Sequence, residues 1–286
     1  MSEQLLDELQ LASSPASDLT YFALAATAAK PAAQTPREVL SELPEVLGGR
    51  YKIERLLGVG GMGAVYRARD LLREQFGDPE PYVALKTLSD DFAEYPDANS
   101  LLYSEFALTA RLNHPHVVRL FGFEVDVPSQ RAFLTLELLK GLTLDQLLSE
   151  RPEGLPWSEL QEIAIALLDA LSYSHSLGVL HGDLKPSNVM LAEDGLRLFD
   201  YGLGQPVEGL LPGLPRLCRN RFTAWTPRYA ALELLDGAPL TAAADVYAVA
   251  CVLYELASGR HPFSRQSAKQ AKAMELDKQL QRPEQL

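Results

Sequence analysis

The feature that most constrains this chain is a change of hydrophobic rhythm at Glu137-Leu138-Leu139-Lys140-Gly141. Before it, short stretches alternate or run apolar as strands do: Tyr51 to Leu56, Ala64 to Ala68, Tyr82 to Leu88, Val117 to Val125 and Arg131 to Leu138. After it the spacing is helical, in a short stretch from Thr143 to Leu148 and a longer one from Ser158 to about Leu177, stopped by Gly178. Ser158-Glu159-Leu160-Gln161 reads as a capping box, and the apolar run Val246 to Ala257, which holds Glu255, reads as a buried helix. Strands bury side chains at period two and helices at 3.6, so the two halves need different layers. The expectation is an α+β fold with a strand-rich lobe, a helix-rich lobe and a crevice between them.

Composition narrows the function. With 286 residues, 47% of them hydrophobic, the chain can bury a large core, and its net charge of −12 repels polyanions. Nucleic-acid binding rests on phosphate neutralisation by Lys and Arg and is not expected. Two cysteines, Cys218 and Cys251, fit a reducing compartment, and His114 and His116 lack further ligands at zinc spacing and read as turn residues. The N-terminus carries Glu3, Asp7 and Glu8 where a secretory signal is basic, and Tyr21 to Ala29 is too short to span a bilayer. A cytoplasmic chain is expected, its oligomeric state open. Residues 1–50 are expected to be a tail and linker, in which Leu5, Leu6, Leu9 and Leu11 can form an amphipathic turn or two and Thr35-Pro36-Arg37-Glu38 starts a short helix.

Five stretches carry chemistry. Gly58-Val59-Gly60-Gly61-Met62-Gly63 is a turn whose backbone N–H groups can approach phosphate, or a merely structural hairpin. A dinucleotide site would have a helix after the glycines, whereas Val65-Tyr66-Arg67 alternates as a strand does. Lys86 lies in an apolar strand and must find a partner or a phosphate. Glu105 shares a helix face with Leu101 and Leu108 in a predicted helix from Ser100 to Leu112; it is that partner or a solvated carboxylate. In His181-Gly182-Asp183-Leu184-Lys185-Pro186-Ser187-Asn188 and Asp200-Tyr201-Gly202, Asn188 and Asp200 offer hard oxygens to magnesium, Asp183 can orient a hydroxyl and Lys185 can balance phosphate charge.

Together these residues resemble the eukaryotic-type serine/threonine protein kinases in their bacterial form, from Tyr51 to about Phe263. The resemblance implies a bilobal fold, an antiparallel-sheet lobe with the hinge over 51–139 and a mainly helical lobe over 140–286. It implies ATP and Mg2+ as cofactors and proteins with Ser/Thr acceptors as substrates. Leu57, Gly58, Gly60, Gly63 and Val65 match the glycine-rich loop, Val83-Ala84-Leu85-Lys86 the lysine strand, and Glu105 its helix partner. Glu137 and Leu139 match the hinge that holds adenine, and Met190 the floor beneath it. Asp183 and Lys185 match the catalytic loop, and Asn188 and Asp200 the metal ligands. Thr226 to Glu233 resembles the end of the activation segment, and Asp245-Val246-Tyr247 with Tyr254 to Gly259 the central helix of the larger lobe.

Several positions depart from the pattern. Gly182 stands where many kinases carry Arg, and Gln205 where many carry a basic residue, so control by activation-loop phosphate is not expected. Leu232 replaces the usual Pro before Glu233. His-Gly-Asp also opens the catalytic loop of aminoglycoside- and choline-kinase-type phosphotransferases, the alternative enzyme. The family's later helices are not found after Phe263, so the larger lobe is expected to be incomplete, Glu233 to lose its arginine partner, and Ser267 to Gln281 to form one polar helix. A scaffold that binds nucleotide or partners without turnover is the non-enzyme alternative. Arg216, Arg219, Arg221 and Arg228 around Cys218 form a basic stretch that attracts acidic substrates or is simply solvated.

Overall fold

The computed structural model describes residues 43–60, 63–88, 98–208, 210–211, 213–214, 226–264 and 266–283. The tail leucines, the Thr35-Pro36 helix start, Gly61 and Met62, and Arg216, Cys218, Arg219, Arg221 and Thr223 lie outside them.

Six antiparallel strands form the first layer in the order β1-β2-β3-β4-β6-β5. They are β1 Val46–Leu47, β2 Tyr51–Val59, β3 Gly63–Asp70, β4 Tyr82–Leu88, β5 Leu120–Asp126 and β6 Arg131–Leu136. A short helix, α1 (Leu71–Gln75), capped by Asp70, lies between β3 and β4. The sheet starts before Tyr51, where the sequence reading began the globular part. It also curls: Gly48 N donates to Asp126 Oδ1 at 2.9 Å and the Tyr51 hydroxyl to Glu124 Oε1 at 2.8 Å, which ties β1 to β5 at the other edge. Leu47, Tyr51, Val83, Leu85 and Phe133 fill the space so enclosed.

Helix α2 (Ala98–Thr109) packs on the other face through Leu101, Leu102 and Leu108. It is shorter than the predicted Ser100–Leu112, because Arg111 and Leu112 bond three residues back (3.2 and 2.9 Å) and tighten the chain into a turn. The predicted strand from Val117 also starts late, at Leu120. Val118 N donates to Leu198 O and Leu198 N to His116 O, so this stretch is held by the second half of the chain instead.

In that half, β7 (Gly141–Thr143), β9 (Val189–Ala192) and β10 (Gly195–Leu198) form a small sheet, and β8 (Val179–Leu180) pairs with β11 (Gln205–Pro206). The helices are α3 (Leu144–Glu150), α4 (Trp157–Ser176), α5 (Leu232–Leu235), α6 (Ala242–Ser258) and α7 (Ala268–Ala273). Leu160, Ile163, Leu167 and Leu171 of α4 meet Val249, Val252 and Leu256 of α6 in the main core. The capping box expected at Ser158 is absent, since Pro156 is the N-cap of α4 and makes no side-chain bond; Thr143 with Gln146 forms one on α3. The polar helix expected to Gln281 stops at Ala273, where Glu275 turns to φ +54° before a 3₁₀ turn, Leu276–Gln279. Glu233 is exposed, so the buried, partnerless carboxylate expected there does not arise. No helix among the described residues is long and apolar enough to cross a membrane.

Candidate active site

The predicted site residues meet where the two layers face each other. Lys86, on β4, is buried and its Nζ lies 2.7 Å from both oxygens of Glu105, on α2, and 2.8 Å from Asp200 Oδ1. The requirement that an ammonium in an apolar strand find partners is thus met twice, once from each layer. Burial works against the Lys86 ammonium, but Asp200 and Glu105 outweigh it and raise its pKa above the ordinary value. Burial likewise acts to raise the Asp200 carboxyl, and the Lys86 ammonium overrides it and holds Asp200 at about 2. For Glu105 burial prevails over Lys86, and its carboxyl is raised. Asp200 sits at φ +67°, a backbone position few non-glycine residues take without support.

The second cluster follows β8. Lys185 Nζ donates to Asp183 Oδ2 at 2.6 Å and to Thr226 Oγ1 at 3.1 Å, joining the loop of 181–188 to the segment that ends in α5. Burial raises the Asp183 carboxyl despite Lys185, which makes it a better proton acceptor. Asn188 Nδ2 donates to Asp183 O at 2.8 Å. That leaves Asn188 Oδ1 and Asp200 Oδ2 without a hydrogen-bond partner among the described residues. Two hard oxygens, one of them a carboxylate, fit a magnesium ion that takes its other ligands from phosphate and water.

An apolar cluster is formed by other residues of the predicted site. Leu57, Val65 and Ala84 from the sheet join Met190 from β9, with Phe199 and Leu203, and Leu139 packs at the margin. Apolar side chains of this kind suit contact with a flat heterocycle. The Glu137 carboxylate is taken up by the Arg119 backbone N–H at 2.7 Å and by Arg197 at 3.5 Å, and its own N–H donates to Arg119 O at 2.9 Å, so its backbone carbonyl is what is left to meet a ligand.

The three glycines assigned to the phosphate loop divide. Gly58 follows a register shift in β2, and Gly60 N donates to Gly63 O at 2.7 Å to close the turn. Gly63 has a structural reason of its own: a Cβ there would fall 2.1 Å from the Thr87 carbonyl oxygen, so the β3–β4 approach excludes any larger residue. Gly182 sits at φ +79°, which gives it a backbone reason to be glycine besides the lost phosphate grip.

What holds the loop was not assigned from sequence. Buried Asp245, near the start of α6, accepts from His181 N at 2.9 Å, Gly182 N at 2.8 Å and His175 Nε2 at 2.9 Å. Burial acts to raise its carboxyl, but these donors together with nearby His181 keep it below the ordinary range. The His181 ring donates from Nε2 to Phe199 O at 3.0 Å and accepts the Asp183 N–H at Nδ1; burial lowers its pKa and keeps it neutral. Near the other end of α6, Glu255 accepts from Arg228 Nη2 at 3.0 Å and from the Tyr229 hydroxyl at 2.6 Å. The signal was available: an Asp and a Glu in an apolar helix must be partnered, the argument made for Lys86 but not for them.

Comparison with known proteins agrees with this geometry. The protein kinase domain family matches residues 51–285. Serine/threonine-protein kinase PkaA of Streptomyces coelicolor is 35% identical over 253 residues, 83% of this chain and 44% of that protein. Serine/threonine-protein kinase pkn3 of Myxococcus xanthus is 33% identical over 224 residues, 77% and 39% of the two chains. The DNA damage-responsive serine/threonine-protein kinase RqkA of Deinococcus radiodurans is 36% identical over 222 residues, 76% and 31%. The chain spans less than half the length of these curated relatives. Family members in general use ATP with a divalent metal. The chain belongs to the protein kinase family, and its relatives are that family's bacterial serine/threonine members.

Proposed function

We propose that this chain transfers the γ-phosphate of ATP to serine or threonine hydroxyls of protein substrates, with 51–139 as the smaller lobe and hinge and 140–286 as the larger. The observation that carries the reading is the Lys86 ammonium held between Glu105 and Asp200, with Asp183 and Lys185 paired alongside. When bound, ATP with Mg2+ supplies the phosphoryl group and neutralises charge on the phosphates. Leu57, Val65, Ala84 and Met190 would contact the base, with the backbone at Glu137 and Leu139 along its edge. Gly58 and Gly60 let the β2–β3 turn approach phosphate, Gly63 keeps the strands in register behind it, and Lys86 steadies the phosphates. Asn188 and Asp200 hold the metal. Asp183 orients the acceptor hydroxyl and takes up its proton, and Lys185 balances charge at the transferred group.

Radiolabelled ATP with the wild type, Asp183→Asn and Lys86→Met tests this, with the chain itself and a generic protein as acceptors. Wild-type labelling with near-complete loss in both variants is expected, and labelling that survives in both refutes the assignment. No labelling in any of them, with nucleotide still bound, would favour a scaffold. Gly182 and Gln205 leave no grip for an activation-loop phosphate, so Thr223→Ala is expected to keep activity. Loss that a phosphomimic at Thr223 restores would overturn this point.

A further inference from the structure

Tyr201 carries a hydroxyl into the middle of the main core. Its side chain is buried in the cluster that includes Leu108 of α2, Leu171 of α4 and Val249 of α6. A phenylalanine would fill the same space and leave nothing polar to satisfy, so the oxygen needs an explanation. It lies 2.8 Å from Ser174 Oγ, in the last turn of α4, and that serine is fully buried. The direction of the bond follows from the hydroxyl protons. Ser174 uses its own to donate to Ala170 O, one turn back at 2.9 Å, so the Tyr201 hydroxyl donates to Ser174 Oγ. The Tyr201 hydroxyl has no other partner among the described residues.

This bond sits beside the most constrained backbone of the site. Asp200 precedes Tyr201 and holds φ at +67°, where a non-glycine residue stays only if its surroundings fix it. Its carboxylate is also the partner of Lys86 at 2.8 Å. Tyr201 O accepts from Gly204 N at 2.8 Å and closes a turn, and the Tyr201 ring centre lies 4.6 Å from that of His181, whose Nε2 donates to Phe199 O. The residues on either side of Asp200 are thus tied to α4 and to the loop of 181–188. Apolar packing of a ring is non-directional, whereas the hydroxyl adds one directed bond that is made in a single placement of Tyr201.

We propose that the Tyr201–Ser174 hydrogen bond is a latch that keeps Asp200 in its strained placement, which makes Ser174 and the Tyr201 hydroxyl positioning groups for the metal site. This role rests on Asp200 as a metal ligand. The latch gives the chain an internal hold on that residue, in place of the phosphate grip that Gly182 and Gln205 do not provide. Without the bond the ring still fills the core, but the peptide between Asp200 and Tyr201 is free to turn, and the carboxylate can leave Lys86.

Hydrogen exchange of the full chain, free of nucleotide and metal, tests the latch without reference to catalysis. Tyr201→Phe removes one oxygen and keeps the ring, and Ser174→Ala removes only the acceptor, so neither puts the fold at risk. Amides of 200–204 are expected to exchange about tenfold faster in each variant, the effect of losing one buried hydrogen bond, while those of β4 at 82–88 keep their wild-type rates. The double variant should exchange no faster than Ser174→Ala alone, because both substitutions remove the same bond. In phosphoryl transfer, the Mg2+ concentration for half-maximal rate should rise severalfold in Tyr201→Phe. Unchanged exchange at 200–204 in both variants overturns the proposal. So does equal acceleration at 82–88, which would make the pair a general stabiliser of the core, and so does an unchanged Mg2+ requirement. A wild type that transfers no phosphate would refute the kinase reading alone, and the exchange rates would still decide the latch.

Discussion

Replacing Asp245 by alanine should unfold the loop of 181–188 before it unfolds anything else. The carboxylate lies in the core and takes three hydrogen bonds, two from the adjacent backbone N–H groups of His181 and Gly182. Truncation leaves both N–H groups buried without an acceptor, at about 1–3 kcal/mol each, and opens a small cavity. The expected destabilisation is about 3–5 kcal/mol in all, or roughly 10 °C in Tm at about 2–4 °C per kcal/mol for a domain near this size. Asp245→Asn keeps one oxygen but turns an NH2 group toward a donor, so it should cost less, about 2 kcal/mol. Urea denaturation of the three proteins gives the ordering, and native-state exchange at His181 and Gly182 shows where the opening starts. Nucleotide binding should outlast phosphoryl transfer, because no residue of α6 belongs to the apolar cluster of Leu57, Val65, Ala84 and Met190. An Asp245→Ala protein within 1 kcal/mol of wild type, or one whose His181 and Gly182 amides stay protected, would refute the reasoning.

Other tests address single contacts. Asp200 is held at about 2, below its ordinary value of 3.8, so its link to Lys86 contributes stability that is complete above pH about 4 and is lost as pH falls toward 2; Asp200→Asn should flatten that acid limb. Gly63→Ala should be strongly destabilising, because its Cβ would meet the Thr87 carbonyl at 2.1 Å, whereas Gly60→Ala, with its nearest atom at 3.8 Å, should fold normally in a thermal scan. Glu255→Ala should free Arg228 and Tyr229, lowering transfer to protein acceptors while nucleotide affinity, read by calorimetry, stays unchanged.

The elements were legible where the pattern is local. The alternation from Tyr51 to Leu88 and the apolar run ending at Ala257 predict strands and a buried helix that the structure contains. Element ends were not, because tertiary bonds set them: Val117 and Val118 leave the sheet for Leu198, and Pro156 rather than Ser158 starts α4. Lys86, Asp183, Lys185, Asn188 and Asp200 stood out because a buried ammonium and clustered oxygens demand an explanation, and Glu105 through the resemblance; the structure brings Glu105, Lys86 and Asp200 into contact. The Gly63 close approach and the hold of Asp245 on the loop need knowledge of which backbone lies across from them, and spacing along the chain does not carry it.

Helix α6 holds the loop of 181–188 through Asp245 and the segment after Thr226 through Glu255, ten residues later. Their relative direction is fixed by helical geometry, at about 100° and 1.5 Å per residue. A single inserted or deleted codon between them would swing one carboxylate about a third of a turn away from its donors, whatever amino acid it encoded. This stretch should therefore accept substitutions at its exposed positions, Val246 and Ala250, and no change of length, whereas the connection between β5 and β6 lies outside that constraint.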